Sequence, residues 1–399
     1  MSHDRHSPEA WRTQTSDPDF VHAPPTADSH APPGPPFRAS TPRTERIAPA
    51  FGADAGPIVR IVNLNTWIGC LPRTLTRVVP IEPPGHKQKR IAALVAELTE
   101  RAPDVITLQE CLPMPGFAKD LARSLGYDLV WRVANSGLRI GSFGLPTGVG
   151  RGEGLAILAR RELGMRKIGT KRLSGIGLVT NICAFHAGPM RFAIAVKVVI
   201  DGRPLIVVTS HVSYSFPSRE AFHVGWAELH RRAVVKHPDP PRWLSRMAKD
   251  NDQVRDKELQ RLARWLATLR RRHGGAPVLM GVDFNLDPET PQVLDFLAVT
   301  RMVNALHDRE PGMLTWDPGG NDNISFDLDY RWPDGADKSP ILQLMAYLDS
   351  IPQCPDHVML SPGLTLTDAG RAFDRPVDGV LASDHYGIWA DAVLAGPAR

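Results

Sequence analysis

Near the end of the apolar run PVLMGVDFN (Pro277–Asn285) two side chains of complementary chemistry stand two positions apart, the carboxylate of Asp283 and the amide of Asn285. Strand side chains alternate between faces, so residues i and i+2 share one. At a strand end facing water, that pair suits a hard cation together with a phosphate oxygen. Similar events recur along the chain: Asn65, Glu110, His211 and the pair Asp384-His385 all sit at the ends of apolar runs. Carboxylate and amide oxygens fit Mg²⁺, with Mn²⁺ as the alternative, and two histidines remain for proton transfer. Hydrolysis of a phosphate ester needs an activated water, neutralised phosphoryl charge and help for the leaving oxygen, and this inventory covers all three.

Singly, each residue has an ordinary use. A lone Glu at a strand end is most often solvated or capping, and Asn65 can open a turn. His211 can be a hydrogen-bonded core histidine, and Asp384 can cap a turn after Ser383. Joint occurrence at equivalent strand ends is what points to a site. Asp384-His385 is the most specific pair, because an adjacent carboxylate can orient an imidazole and raise its basicity.

The elements that must position these residues follow from periodicity. Strands are predicted at Ile58–Leu64, Asp104–Glu110, Gly154–Ala159, Phe192–Ile200, Leu205–Thr209, Asp356–Leu360 and Tyr386–Val393, besides the one ending at Asp283. Asp201-Gly202 between two of them is a hairpin signal. Helical spacing of Ile91, Leu94, Val95 and Leu98 predicts a helix over Lys87–Arg101, and Leu259, Leu262, Leu266 and Leu269 predict another over Asp252–His273. A short helix over Phe117–Leu125 closes at Gly126, and a further one begins at Pro291. Leu71–His86 and Thr315–Pro340 read as irregular functional loops. The pattern is α/β, mixed strands with helices covering their outer faces.

The chain has 399 residues, 42% of them hydrophobic and 23% charged, which supplies a sizeable core. A net charge of +4 permits a phosphate-bearing substrate without the strong basic bias of a polyanion-wrapping protein. Cys70, Cys111, Cys183 and Cys354 are widely separated, which excludes a cysteine zinc site of the usual spacing and favours reduced thiols. Residues 1–55 are expected to be a disordered tail, because Met1–Pro49 holds ten prolines and almost no periodic apolar residues. No apolar run is long enough to span a membrane, and the first residues lack a secretory apolar segment. A cytoplasmic location is the default expectation, with non-classical export left open, and no protein partner is evident.

Asn65, Gln109-Glu110, Ser210-His211, Asp283-Phe284-Asn285, Asp356-His357-Val358 and Ser383-Asp384-His385 follow the order found in the endonuclease/exonuclease/phosphatase superfamily, which the chain resembles from about Ile58 to Val393. The resemblance implies one domain over residues 56–396, built as a four-layered α/β sandwich of two mostly antiparallel sheets flanked by helices. It implies a metal-dependent phosphoric ester hydrolase. Glu110 is then the principal Mg²⁺ ligand beside Asn65, with Asp283 and His385 as further metal-facing groups. Asp283 aligns or deprotonates the attacking water, Asn285 holds a phosphate oxygen, and His211 contacts the phosphate or protonates the leaving oxygen. His385, polarised by Asp384, activates water or stabilises the pentacoordinate centre, and Asp356 supports a histidine from behind. The family pattern leaves the base open between the aspartate and the histidine. Departures from it are Val282 between Gly281 and Asp283, Pro355 before Asp356, His357 after it, and Ser210 before His211.

Thr315-Trp316-Asp317-Pro318 with Asn321–Asn323 resembles a loop of the sphingomyelinase-like branch, as does Asn65-Thr66-Trp67. Trp316 and Trp67 suit stacking on a base, a place near a lipid headgroup, or plain packing. Three functions stay open on the sequence: a phosphodiesterase or phosphomonoesterase acting on a small or lipid-derived phosphoester, a nuclease acting on DNA or RNA with the same centre, and a catalytically silent binding scaffold.

Overall fold

The computed structural model describes residues 56–74, 77–140, 143–145, 152–214, 219–331 and 339–395. The expected tail, residues 1–55, lies outside them. The chain opens with β1 (Ile58–Asn65), the hairpin β2 (Cys70–Thr74) and β3 (Arg77–Pro80), and α1 (His86–Arg101). Next come β4 (Val105–Cys111), α2 (Gly116–Leu125), β5 (Tyr127–Asn135), β6 (Leu138–Ile140), β7 (Phe143–Leu145) and β8 (Glu153–Arg160). The long ribbon β9 (Arg166–Val179) and β10 (Cys183–Ile200) leads into β11 (Arg203–His211), α3 (Arg219–Arg231), α4 (Arg242–Arg272) and β12 (Val278–Asp283). The last part holds α5 (Pro291–Thr300), β13 (Val303–Asn304), α6 (Ala305–Arg309), α7 (Asp322–Arg331) and α8 (Pro340–Asp349), then β14 (Asp356–Leu360), β15 (Leu364–Ala372) and β16 (Gly387–Leu394).

Apart from the β2–β3 hairpin, these strands form two sheets packed face to face. One has the order β15-β16-β1-β4-β8-β5, the other β13-β14-β12-β11-β10-β6-β7 with β9 paired to β10. Neighbours are antiparallel except for β1 with β4 and β11 with β12. Leu94 and Leu98 of α1 and Leu121 of α2 pack on the first sheet, and Leu259, Leu262, Leu266 and Leu269 of α4 cover the second. The result is the helix–sheet–sheet–helix sandwich that the sequence implies. Each fully buried aliphatic side chain contributes roughly 1.5–3 kcal/mol.

Between the sheets, four central strands turn from apolar to polar toward one end. Ile61, Val105, Val207 and Leu279 point into the seam, followed two and four residues later by Asn63 and Asn65, Thr107 and Gln109, Thr209 and His211, Gly281 and Asp283. Buried polar groups are costly unless paired, and here they pair within the first sheet and across the seam. Gln109 Nε2 donates to Asn63 Oδ1 (2.9 Å) and Thr209 Oγ1 (2.8 Å), Thr107 Oγ1 to Asn63 Oδ1 (2.9 Å), and Asn63 Nδ2 to the Val282 carbonyl (3.3 Å). The approach is close enough that a Cβ on Gly281 would lie 2.0 Å from Thr107 Oγ1, so only glycine fits there.

Two stretches expected as loops contain regular structure. Leu71–His86 holds most of the β2–β3 hairpin, and Thr315–Pro340 holds α7, anchored by buried Ile324. Helix α4 begins ten residues before the expected Asp252. Its first turns pack Leu244 and Ala248 against Phe222 and Trp226 of α3 and Leu344 and Leu348 of α8, a separate cluster away from the sheet. Trp226 is therefore a core residue, whereas Trp243 stays exposed.

Gly281→Ala is expected to lower stability by about 1–3 kcal/mol or more through overpacking of the seam. Chemical denaturation compared with Thr107→Ser, which keeps the hydroxyl, checks it; an unchanged Gly281→Ala midpoint would contradict the close contact.

Candidate active site

Register brings the site together before any side chain is considered. His211 on β11 stands directly beside Asp283 on β12, which stands opposite Asp356 on β14. In the facing sheet Asn65 pairs with Gln109, the residue before Glu110. Glu110 lies where the β4–β8 register shifts, and its φ of 54° turns the carboxylate off the strand toward the cleft. A non-glycine residue held in that region costs energy, and such positions cluster at functional sites. Asn285 (φ 52°) turns back in the same way, and its backbone N–H donates to Asp283 Oδ1 at 2.8 Å.

The two sheets are then joined through the site itself. Asn65 Nδ2 donates to Asp283 Oδ2 at 2.9 Å, and the Ile68 N–H donates to Glu110 Oε2 at 3.2 Å. Asn65, Glu110, His211, Asp283, Asn285, Asp384 and His385 line one cavity of about 150 Å³, with Arg191, Tyr214 and Trp316 on its walls. Arg90, buried in α1, braces it from behind: its guanidinium pairs with Glu82, donates to the carbonyls of Thr66 and Ala382, and lies 4.7 Å from the Trp67 ring centre. Trp67 is thus largely packed under the loop.

The carboxylate that orients His385 is Asp356, not its neighbour Asp384. Asp356 Oδ2 lies 2.7 Å from His385 Nδ1 and also accepts from Thr315 Oγ1 at 2.7 Å. Adjacent residues point apart, so a sequence neighbour cannot bond the ring as well as a residue from β14 does. Asp384 acts on the ring through charge. The loop noted in the sequence as TWDP with Asn321 and Asn323 holds this turn in place. Asn321 Nδ2 donates to the carbonyls of Ser383 and Asp384, Asn323 Nδ2 donates to those of Leu381 and Ser383, and the Trp316 ring meets His385 edge-on at 5.1 Å.

Glu153 lies 3.9 Å from His211 Nδ1, too far for a hydrogen bond, and is itself held by Asn135 Nδ2 at 2.6 Å. Sequence reading missed Glu153 by one position, starting the strand at Gly154. A lone acid opening an otherwise apolar strand was the available signal. Asn285 Nδ2 donates to His211 Nε2 at 3.0 Å and to the Val212 carbonyl at 3.0 Å. Both of its amide hydrogens are therefore engaged, and Asn285 here positions the histidine.

Charge separates the two histidines. Burial, with Arg191 and His385 nearby, pushes His211 well below its ordinary pKa, so it is neutral. Burial opposes charge on His385 too, but Asp356, Asp384 and Asp283 outweigh it and hold the imidazole well above the ordinary value. Burial and the neighbouring acids Glu153, Asp384 and Asp283 push Glu110 up to about 8, and burial with Asp356 pushes Asp283 up to about 7. Buried acids crowded in this way are short of positive charge, and the donor set is all oxygen, which fits a hard divalent cation. Asp283, Asp356 and His385 also lie close enough to share an ion. That placement is the poorer one, because His385 Nδ1 is already bonded to Asp356 and its positive charge repels a cation. Glu110, Asn65 and Asp283 line the same cavity with oxygen atoms that suit a hard cation.

The architecture is that of a two-sheet α/β sandwich with its site at the strand ends. The model of the endonuclease/exonuclease/phosphatase family matches residues 63–385, and the chain belongs to that family. No curated protein matches it. Among solved structures, an endonuclease/exonuclease/phosphatase from Bacteroides vulgatus shares 14% identity over 85% of this chain and 99% of its own, with a TM-score of 0.51. D. rerio TDP2 complexed with a single-strand DNA product shares 16% over 84% and 98%, at 0.50. TDP2 from C. elegans shares 16% over 86% and 77%, also at 0.50. At such identities the likeness shows the fold.

The carboxyl of Glu110 is neutral when its folded pKa of about 8 exceeds the pH, whereas in the unfolded chain it ionises near its ordinary value. Stability from this group is thus full below the unfolded pKa and lost as pH rises through about 8. In chelator, Glu110→Gln is expected to gain melting temperature relative to the parent progressively from about pH 4.5 to about pH 8, and to hold a constant advantage above that. A difference independent of pH would contradict the shift.

Proposed function

We propose that the chain is a divalent-metal-dependent phosphoesterase that hydrolyses a phosphodiester by attack of water. One observation carries the reading: a single small cavity is lined by a cation-starved carboxylate group around Glu110 and by His385, kept charged through Asp356. Glu110 and Asn65 would hold Mg²⁺ or Mn²⁺, which supplies charge for the phosphoryl oxygens and lowers the pKa of a bound water. Asp283, tethered by Asn65 and by the Asn285 N–H, has the raised pKa expected of a general base, and it accepts the proton of the attacking water. His385 presents positive charge and a proton to an oxygen of the reacting phosphate. Opposite shifts on neighbouring groups support this division of acid and base, which the sequence left open. His211, neutral, is held on the far wall by the amide of Asn285.

Substrate class follows from the lining. Among the described residues Arg191 is the single lysine or arginine in the cavity, facing several acids. That supports a substrate offering one phosphoester, such as a small molecule or headgroup, over a polyanion held at many phosphates. A nuclease is the second reading, favoured by the single-strand DNA product bound to D. rerio TDP2. A silent scaffold is disfavoured, because it has no use for a histidine held charged by a buried acid beside a crowded carboxylate group.

Hydrolysis of bis-p-nitrophenyl phosphate is expected with Mg²⁺ or Mn²⁺ and not with chelator. Glu110→Ala and His385→Ala should each lower kcat by about 10²–10⁴-fold with the circular dichroism unchanged. Parallel assays on plasmid DNA, sphingomyelin and inositol phosphates separate the substrates. Full activity in chelator or in Glu110→Ala would overturn the metal assignment, and silence on every substrate would favour the scaffold.

A further inference from the structure

The ribbon of β9 and β10 runs past the end of β11 and carries an unusual outer face. Along β10 the buried side is ordinary: Ala184, Met190, Phe192 and Ile194 enter the core between the sheets. The opposite side breaks the rule that a solvated sheet face is polar. Phe185 of β10 is 71% exposed, and directly opposite it stand Leu178 of β9 (58%) and Leu138 of β6 (41%). Ile140 pairs with Cys183 one step along, Ile176 lies two residues from Leu178 on the same side, and Ile182 stands at the connecting turn; these three isoleucines are 73–82% exposed. Opposed residues share a face. Six large apolar side chains thus form one patch that nothing among the described residues covers, and patches of this kind mark interaction surfaces.

A second feature adjoins it. Further down β9, Lys171, Arg172, Ser174 and Gly175 form a groove with Val254, Lys257 and Arg261 of α4. It contains four cations and no acid among its lining residues, and none of the four forms an ion pair among the described residues. The groove and the patch are continuous, since Gly175 precedes Ile176 and Arg172 Nη1 donates to the Gly177 carbonyl at 3.1 Å. Apolar side chains at the tip with unpaired cations behind them complement the two layers of an anionic bilayer, acyl region and headgroup. A second copy of the chain would bring the same four cations toward each other. A nucleic acid would use the groove but leave the aliphatic tip in water.

We propose that the apolar tip of the β9–β10 ribbon, with the cationic groove beside it, docks the protein on an anionic lipid bilayer. Arg191 on the cavity wall lies four to eight residues along β10 from Ala187 and Cys183, so at about 3.3 Å per residue the tip is roughly 13–26 Å from the cleft. Docking then brings the cleft close to the lipid surface. The inference stands apart from the proposed hydrolysis, because binding is measured without substrate turnover.

The test is co-sedimentation of the full chain with vesicles of phosphatidylcholine alone or with phosphatidylserine, in chelator. The expected result is pelleting with the phosphatidylserine vesicles that weakens as salt rises. Ile176→Ser with Phe185→Ser should lower the partition coefficient at least tenfold. Lys257→Gln and Arg261→Gln should each lower it about fivefold on anionic vesicles only. Melting curves confirm folding, and Lys257 and Arg261, on the solvent side of α4, supply variants that keep the apolar tip intact. Absence of pelleting, or equal pelleting of parent and variants, would overturn the proposal. So would a parent dimer in sedimentation equilibrium that Phe185→Ser converts to monomer, or binding to an oligonucleotide but not to vesicles.

Discussion

The site depends on a polar seam between two sheets. A sandwich held by apolar side chains alone can slide by a residue with modest loss, whereas directional hydrogen bonds cannot. Gln109 bonds Thr209 and Asn63 bonds the Val282 carbonyl across the gap, Thr107 and Gln109 hold Asn63 from the same sheet, and Gly281 lets the backbones approach. That fixes Asn65 and Glu110 of one sheet against Asp283 and His211 of the other. The contact between Asn65 and Asp283 is the last rung of the same ladder, so the fold's register and the site's geometry are one constraint.

The seam also explains the electrostatics. Its open end gathers Glu110, Glu153, Asp283, Asp356 and Asp384 in a largely buried space, with His385 carrying charge against them. Folding tolerates this because each acid is held by a donor or by the histidine, and because protonation of Glu110 and Asp283 relieves part of the repulsion. A divalent cation bound there would relieve it further. Function and instability share one origin here, which is the usual cost of a preorganised site.

Much of this was legible from local pattern. Short apolar runs marked β1, β4, β11 and β12, and their polar last residues marked one end of the sheets. The hairpin at Asp201-Gly202 and the leucine stripe of α4 also read directly. What escaped was long-range pairing. The family resemblance pointed to Asp356 as a histidine's support but not to which histidine, and Asp384 looked like the partner of His385 because it is adjacent. Glu153 fell one residue outside its predicted strand, and Asn321 and Asn323 looked like loop chemistry until their carbonyl partners were seen. The β9–β10 ribbon hid its length because its outward residues are apolar, so neither alternation nor turn signals stood out. Arg90 was masked by the apolar neighbours Ile91 and Val95.

The central claim is that Glu110 and Asn65, and not the Asp356–His385 pair, hold a divalent cation. Anomalous diffraction from a crystal soaked in Mn²⁺ tests it most directly. The account predicts a peak with Glu110 among its ligands while His385 Nδ1 stays bonded to Asp356. A peak ligated by Asp356 and His385 instead, or a cleft with none at saturating Mn²⁺, would contradict it.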